Sequence, residues 1–301
     1  MKYALGIDLG GTYIKYAVVR EDGNIFMEGK CPTKSGRDDL LEQLSEIVGD
    51  SVRQAADNGF ELVGAGIGTP GIIDGSGKVL LGGSPNLKDW ENVPLAEYIE
   101  SRHSIPVKLC NDANAMGLGE YAFGAGRGFS DVVFISVGTG IGGAVIIGDK
   151  MMTGYQNRGA ELGCIPFNVE DGAQCGCGAA GCWEAYASTA AMLRFYARRT
   201  GEEISGKELM RRYEAGEQAA REVFEKECYY LGRGIAGLIN IFAPQRVVIG
   251  GGISEAGSFF ADKVAQAAFD SAIDDCSINT EICVAEMGNH AGMVGAACLM
   301  F

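Results

Sequence analysis

The chain has 301 residues, 47% of them hydrophobic and 21% charged, with a net charge of −14, a composition that belongs to a soluble globular protein with room for two domains. The charge argues against nucleic acid and other polyanions as partners, since these need basic phosphate contacts, but not against a nucleotide, which needs only local backbone donors. No apolar run reaches membrane-spanning length and Asp8 interrupts the first one, so neither a membrane span nor a signal peptide is expected and the location read is cytoplasmic.

The first element, "YALGIDLGGTYIKYAVV", reads as a strand, a turn at Gly10, Gly11 and Thr12, and a second strand from Ile14 to Val19. Further on, "VKLC" predicts a short strand from Val107 to Cys110 that delivers Asn111 and Asp112 to a helix starting near Ala113. The stretch "DVVFISVGTGIGGAVII" repeats the first plan, with Gly138, Thr139 and Gly140 at its turn. It contains G-x-G-x-x-G, but a strand rather than a helix follows, so a dinucleotide-binding unit is excluded, and no Walker-type G-x-x-x-x-G-K-[ST] occurs. A third glycine turn, with Gly251 and Gly252, follows a strand at Arg246–Ile249.

One glycine hairpin alone is most simply a tight turn. Two of one layout, with a third glycine turn, read as phosphate-gripping loops, because glycine lets backbone N–H groups approach phosphate oxygens and Thr12 and Thr139 add hydroxyl donors. Asp8, ending the first strand, is placed to hold water on Mg²⁺. An Asp at a strand-to-helix junction such as Asp112 is often an N-cap. Phosphoryl transfer to a hydroxyl, however, needs one carboxylate beside the attacking oxygen, and Asn111 next to it offers both donor and acceptor to a neighbouring hydroxyl.

Three cysteines, Cys175, Cys177 and Cys182, crowd the glycine-rich "CGCGAAGC", with Cys164 eleven positions upstream and no histidine other than His103 and His290. A redox pair or chance would also explain them, but the spacing favours a four-thiolate structural Zn²⁺. The other six cysteines read as small buried residues. Glu161 and Glu184 flank the cluster as candidate grips for sugar hydroxyls, or as solvated surface residues. The charged stretch "TGEEISGKELMRRYEAGEQAAREVFEKE" reads as helical with a solvated face. Leu231, Ile235, Leu238, Ile239 and Phe242 mark a core-facing helix that Pro244 stops.

The duplicated hairpin opening with "DLGGT" resembles the actin-like ATPase superfamily. With "GIGTPGIID", "SPNLKDWENVPL", "CNDANAMGLGE", "SVGTGIGGAVI", "CGCGAAGCWEAYAS" and "INIFAPQRVVIGGGIS" in order, the chain resembles, nearly end to end, the ROK family of repressors and sugar kinases. The resemblance implies a two-domain α/β fold of actin-like (ribonuclease H-like) type with a cleft between domains. Their expected extents are residues 1–110 with 288–301, the last helix capping the first domain, and 111–287. It implies an ATP-dependent hexose kinase acting on a 6-hydroxyl, with ATP, Mg²⁺ and structural Zn²⁺, and commonly a homodimer. Asp112 would be the catalytic base, and Gly71, Asn86, Asn111, Glu161 and Glu184 would bind the sugar. Glucose is the first expected substrate, ahead of N-acetylglucosamine, N-acetylmannosamine and fructose. Family members that repress transcription carry a helix-turn-helix before the first hairpin, for which the residues ahead of Asp8 leave no room, and a sugar-binding module without catalysis is opposed by the intact loops and Asp112. One departure stands out: where the family usually has the histidine of E-x-G-H, this chain has Cys164. The cysteine keeps the metal role but not an imidazole hydrogen bond, which bears on which sugar is bound.

Overall fold

A computed structural model describes residues 1–81, 87–253 and 257–301. The chain forms two compact units, one of Met1–Arg127, Thr153–Gly159 and Asn289–Phe301, the other of Gly128–Met152 and Ala160–Gly288.

The first unit begins with β1 (Tyr3–Leu9), β2 (Tyr13–Arg20) and β3 (Ile25–Pro32), followed by α1 (Arg37–Asp57) and β4 (Leu62–Thr69). A short hairpin of β5 (Ile72–Ile73) and β6 (Val79–Leu81), helix α2 (Leu95–His103), β7 (Val107–Asn111) and α3 (Asp112–Phe123) complete this stretch. The sheet order is β3-β2-β1-β4-β7, with β1 antiparallel to β2 and parallel to β4. Strand β1 is buried at every position from Ala4 to Leu9, as a central strand covered on both faces must be, while edge strand β3 alternates. Helix α1 turns Leu40, Leu44, Ile47, Val48 and Ser51 inward at helical spacing.

The second unit repeats this plan. It contains β8 (Val132–Val137), β9 (Ile141–Ile147) and β10 (Lys150–Met151), then α4 (Glu184–Ala187), α5 (Thr189–Thr200), α6 (Gly206–Glu214) and α7 (Gln218–Phe242). After these come β11 (Arg246–Gly250), α8 (Ser258–Phe269), α9 (Asp274–Ser277) and β12 (Glu281–Val284). Its order, β10-β9-β8-β11-β12, has an antiparallel hairpin followed by two parallel strands, as in the first sheet. Its core gathers Trp183, Tyr196, Phe224, Leu231, Ile235 and Phe260. The charged stretch forms α6 and the start of α7, but the expected solvated face holds only in part: Val223, Phe224 and even Glu227 are buried.

The last helix, α10 (Ala291–Cys298), lies in the first unit. A Cβ on Gly295 would fall 1.8 Å from the Ala115 carbonyl oxygen, and one on Gly119 2.3 Å from that of Ala291, so α3 and α10 touch backbone to backbone. This packing draws α3 into the first unit. That unit therefore runs to Arg127, whereas the sequence reading put the division at 110/111. Among the described residues no helix is long and apolar enough to cross a membrane.

Candidate active site

In the first unit the β1–β2 register sets Lys15 directly opposite Asp8, so their side chains share a face. Lys15 Nζ lies 3.9 Å from Asp8 Oδ2 and donates to Asn289 Oδ1 at 2.9 Å. Asp8 is only 6% exposed and packs over Gly292, where a Cβ would come within 2.8 Å of its carboxyl carbon. Burial pushes Asp8 up to about 6; the Lys15 charge pulls it down and the Asp112 charge adds to the rise. Beyond Asp8 the turn is closed by Gly10 N–H donating to Tyr13 O at 3.1 Å and stapled by Thr33, whose hydroxyl donates to Gly10 O at 2.7 Å and whose N–H donates to Thr12 O at 3.0 Å. Gly10 and Gly11 are half-buried and Thr12 is exposed.

Asp112 is the first residue of α3, and the N-cap is Asn111. Asn111 Oδ1 accepts the N–H groups of Ala113 at 2.9 Å and Asn114 at 3.2 Å, and its amide donates to Gly71 O at 3.3 Å. The capping role considered for Asp112 thus falls to its neighbour. Asp112 Oδ1 accepts from Ala113 N at 3.0 Å. Burial raises the Asp112 carboxyl above the usual carboxylate range, and backbone N–H groups at the helix start oppose the rise. Gly71, at φ +106, sits in the turn between β4 and β5.

In the second unit the hairpin between β8 and β9 is closed by Gly138 N–H donating to Gly140 O at 2.9 Å, and Thr139 at its tip is exposed. Gly251, at φ +89, abuts the end of β8: a Cβ there would lie 2.2 Å from Val137 O. The third glycine turn, with exposed Gly251 and Gly252, therefore adjoins the hairpin. Glu184, at the start of α4, is half-buried. Its Oε2 accepts Ile141 N–H at 3.2 Å and its Oε1 accepts the Cys175 thiol at 2.8 Å. Glu161 is exposed, ahead of the turn Leu162–Cys164.

The sulfur atoms of Cys164, Cys175, Cys177 and Cys182 all lie within 4.8 Å of one another, and that of Cys177 is 3.5 Å from that of Cys182. Four thiolates at about 2.3 Å from a tetrahedral zinc stand roughly 3.8 Å apart, so the donor set and its spacing fit Zn²⁺. All four thiols are free.

The structure thus gathers Asp8, Gly10, Gly11, Thr12, Gly71, Asn111 and Asp112 in the first unit. Gly138, Thr139, Gly140, Glu161, Glu184, Gly251, Gly252 and the four cysteines lie in the second. Asn86 falls outside the described residues. Lys15 is a further residue of this face that the sequence reading lacks; it is the β1–β2 register that sets it opposite Asp8.

The family model for the ROK family matches residues 4–301. The chain belongs to the ROK family. It is 34% identical to the glucokinase of Streptomyces coelicolor, over 99% of this chain and 98% of that one. It is 32% identical to the xylose repressor of Caldicellulosiruptor bescii, over 98% of this chain and 77% of the repressor. A crystal structure of the ROK family glucokinase from Streptomyces griseus, in complex with glucose and AMPPNP, superimposes with a TM-score of 0.84 at 35% identity over 99% of this chain and 98% of that one. The fold is the two-domain actin-like ATPase fold of ROK kinases.

Proposed function

We propose that the protein is an ATP-dependent hexose kinase that transfers the γ-phosphoryl group of ATP to the 6-hydroxyl of a sugar, with glucose as the first substrate. The observation that carries this reading is the placement of Asp112. It is a half-buried carboxylate at the first position of α3, relieved of capping by Asn111, in a unit that also holds the Asp8 hairpin. The full-length similarity to glucokinases supports it.

In this mechanism Asp112 takes the proton of the sugar hydroxyl as its oxygen bonds to the γ-phosphorus, and the bond to the bridging oxygen breaks to release ADP. Asn111, the Gly71 backbone, Glu161 and Glu184 orient the sugar, with Asn86 as a further contact. The hairpins at Gly10–Thr12 and Gly138–Gly140, with Gly251 and Gly252, hold the nucleotide. Asp8, a buried carboxylate beside the first hairpin, fits a Mg²⁺ hydration shell; the ion supplies charge neutralisation at the phosphates. Cys164, Cys175, Cys177 and Cys182 would hold Zn²⁺, which fixes their loop. The free thiols suit a reducing cytoplasm, and a homodimer is the assembly that the family resemblance suggests.

The test is ADP release from Mg-ATP against a panel of hexoses and N-acetylhexosamines with a no-sugar blank. Strong turnover with one sugar is expected, and its identity reports the effect of Cys164. Silence across the panel while sugar still binds would overturn the kinase reading in favour of a sugar sensor, the alternative that the likeness to xylose repressors raises.

A further inference from the structure

Strand β4 ends at Thr69, which is wholly buried and lies in register with Asn111 on β7. Its hydroxyl oxygen accepts the indole N–H of Trp90 at 2.9 Å, and the hydroxyl itself turns toward Pro70 O at 3.4 Å. Trp90 is 1% exposed. It sits between two residues with left-handed backbone, Asp89 at φ 57 and Asn92 at φ 55, and its burial leaves the ring little room to turn. Two residues beyond Thr69, the Gly71 carbonyl accepts the Asn111 amide, and Asn111 in turn caps the helix that opens with Asp112.

A buried indole N–H needs an acceptor wherever it lies. What sets this one apart is the position of its acceptor. The hydroxyl sits at the base of the Pro70–Gly71 turn, Pro70 offers no N–H of its own to fix that turn, and the carbonyl at the end of the turn is the one that Asn111 holds. The hydrogen bonds therefore run in series from the Trp90 loop, through Thr69, to the turn that meets the start of α3.

We propose that Thr69 is a positioning residue: held by Trp90, it sets the Pro70–Gly71 turn and, through Gly71 and Asn111, the sugar-binding backbone and the orientation of Asp112. This rests on the kinase reading for its effect on turnover, but not for its effect on the turn.

The test uses the full chain with Thr69→Val, which keeps the shape and removes the hydroxyl, and Thr69→Ser, which restores it. In Thr69→Val the KM for the sugar should rise by ~10-fold or more while the KM for Mg-ATP stays within about 2-fold, as a misplaced sugar and an undisturbed nucleotide require. Thr69→Ser should return both to within about 2-fold of the parent. Hydrogen exchange supplies the readout independent of activity. The amides of Ala113 and Asn114, held by Asn111, should exchange faster by ~10-fold in Thr69→Val, while those of Ile47 to Ser51 in α1 keep their protection. Unchanged exchange at Ala113 and Asn114, or equal acceleration in α1, would overturn the proposal, as would equal shifts in both KM values. A parent enzyme silent toward every sugar would sink the kinase reading instead, and the exchange of these amides would still decide the role of Thr69.

Discussion

Glu184 joins the cysteine loop to the second glycine hairpin by accepting the Ile141 N–H at 3.2 Å. The same contact explains Gly140, where a Cβ would lie 2.5 Å from Glu184 Oε2. A glycine that reads as a phosphate contact is also the space in which this carboxylate sits. Hydrogen bonds to charged groups contribute about 1.5–3 kcal/mol, so Glu184→Ala is expected to lower kcat/KM for the sugar by ~10- to 100-fold. Glu184→Gln, which keeps an acceptor for Ile141, should fall between that variant and the parent. Steady-state kinetics on the two variants checks this; equal losses in both would show that charge alone matters and that the Ile141 bond does not.

Asp112→Asn keeps the shape and the contact with Ala113 N while removing the base. The expected fall in kcat is at least ~10²-fold, the usual contribution of a general base, with sugar affinity measured by calorimetry changing far less. Near-normal turnover would remove Asp112 from its role.

The pH profile follows from two carboxylates of the first unit, Asp8 and Asp112. Both Asp8, near 6, and Asp112 are raised by burial, and both act as anions, so activity is present above these values and is lost as pH falls through them. The acid limb of kcat/KM, which reports the free enzyme, is expected near pH 6 instead of near 4. Lys15→Met removes the cation that pulls Asp8 down, so its limb should move to higher pH. A limb that stays near pH 4 in the parent, or that does not move in Lys15→Met, contradicts the assignment.

Much of this was legible in the sequence, because the two sheets are built from runs whose patterning leaves few choices. Apolar strands on either side of a glycine turn gave both hairpins, and the resemblance of the duplicated plan to actin-like ATPases implied the fold. The four cysteines were found by spacing alone. What escaped was set by tertiary partners. The capping of α3 by the Asn111 oxygen is one such feature, since the sequence points to Asp112 as the N-cap candidate. The charged run before Cys228 hides a buried Glu227 within a helix whose other face is polar. The division at 110/111 missed the glycine contacts that bind α3 to α10, 180 residues apart in the chain for Ala115 and Gly295.

The cysteine cluster predicts one zinc per chain in freshly purified, reduced protein, measured by elemental analysis. Cys177→Ser should lose most of it, and removal by a strong chelator should lower the melting temperature, because the metal's binding energy is part of the loop's folding energy. Metal-free protein that melts at the same temperature as the purified form would rule out a structural ion here.

Glu227 gives a prediction about stability that owes nothing to catalysis. It is 1% exposed on α7, among Val223, Phe224, Cys228 and Leu231 of the core, and neither carboxyl oxygen has a hydrogen-bond partner among the described residues. Burial raises it well above the usual carboxylate range, so the folded protein holds this proton where the unfolded chain, with an ordinary pKa of about 4.3, has released it. The folded state then binds more protons than the unfolded state, and this group makes stability fall as pH rises above about 4.3, by at most ~1.4 kcal/mol per pH unit. Glu227→Gln has no proton to lose. Urea unfolding at pH 5, 6.5 and 8 should find the variant gaining on the parent as pH rises; parallel pH dependence in the two proteins would mean that Glu227 is ionised in the fold after all.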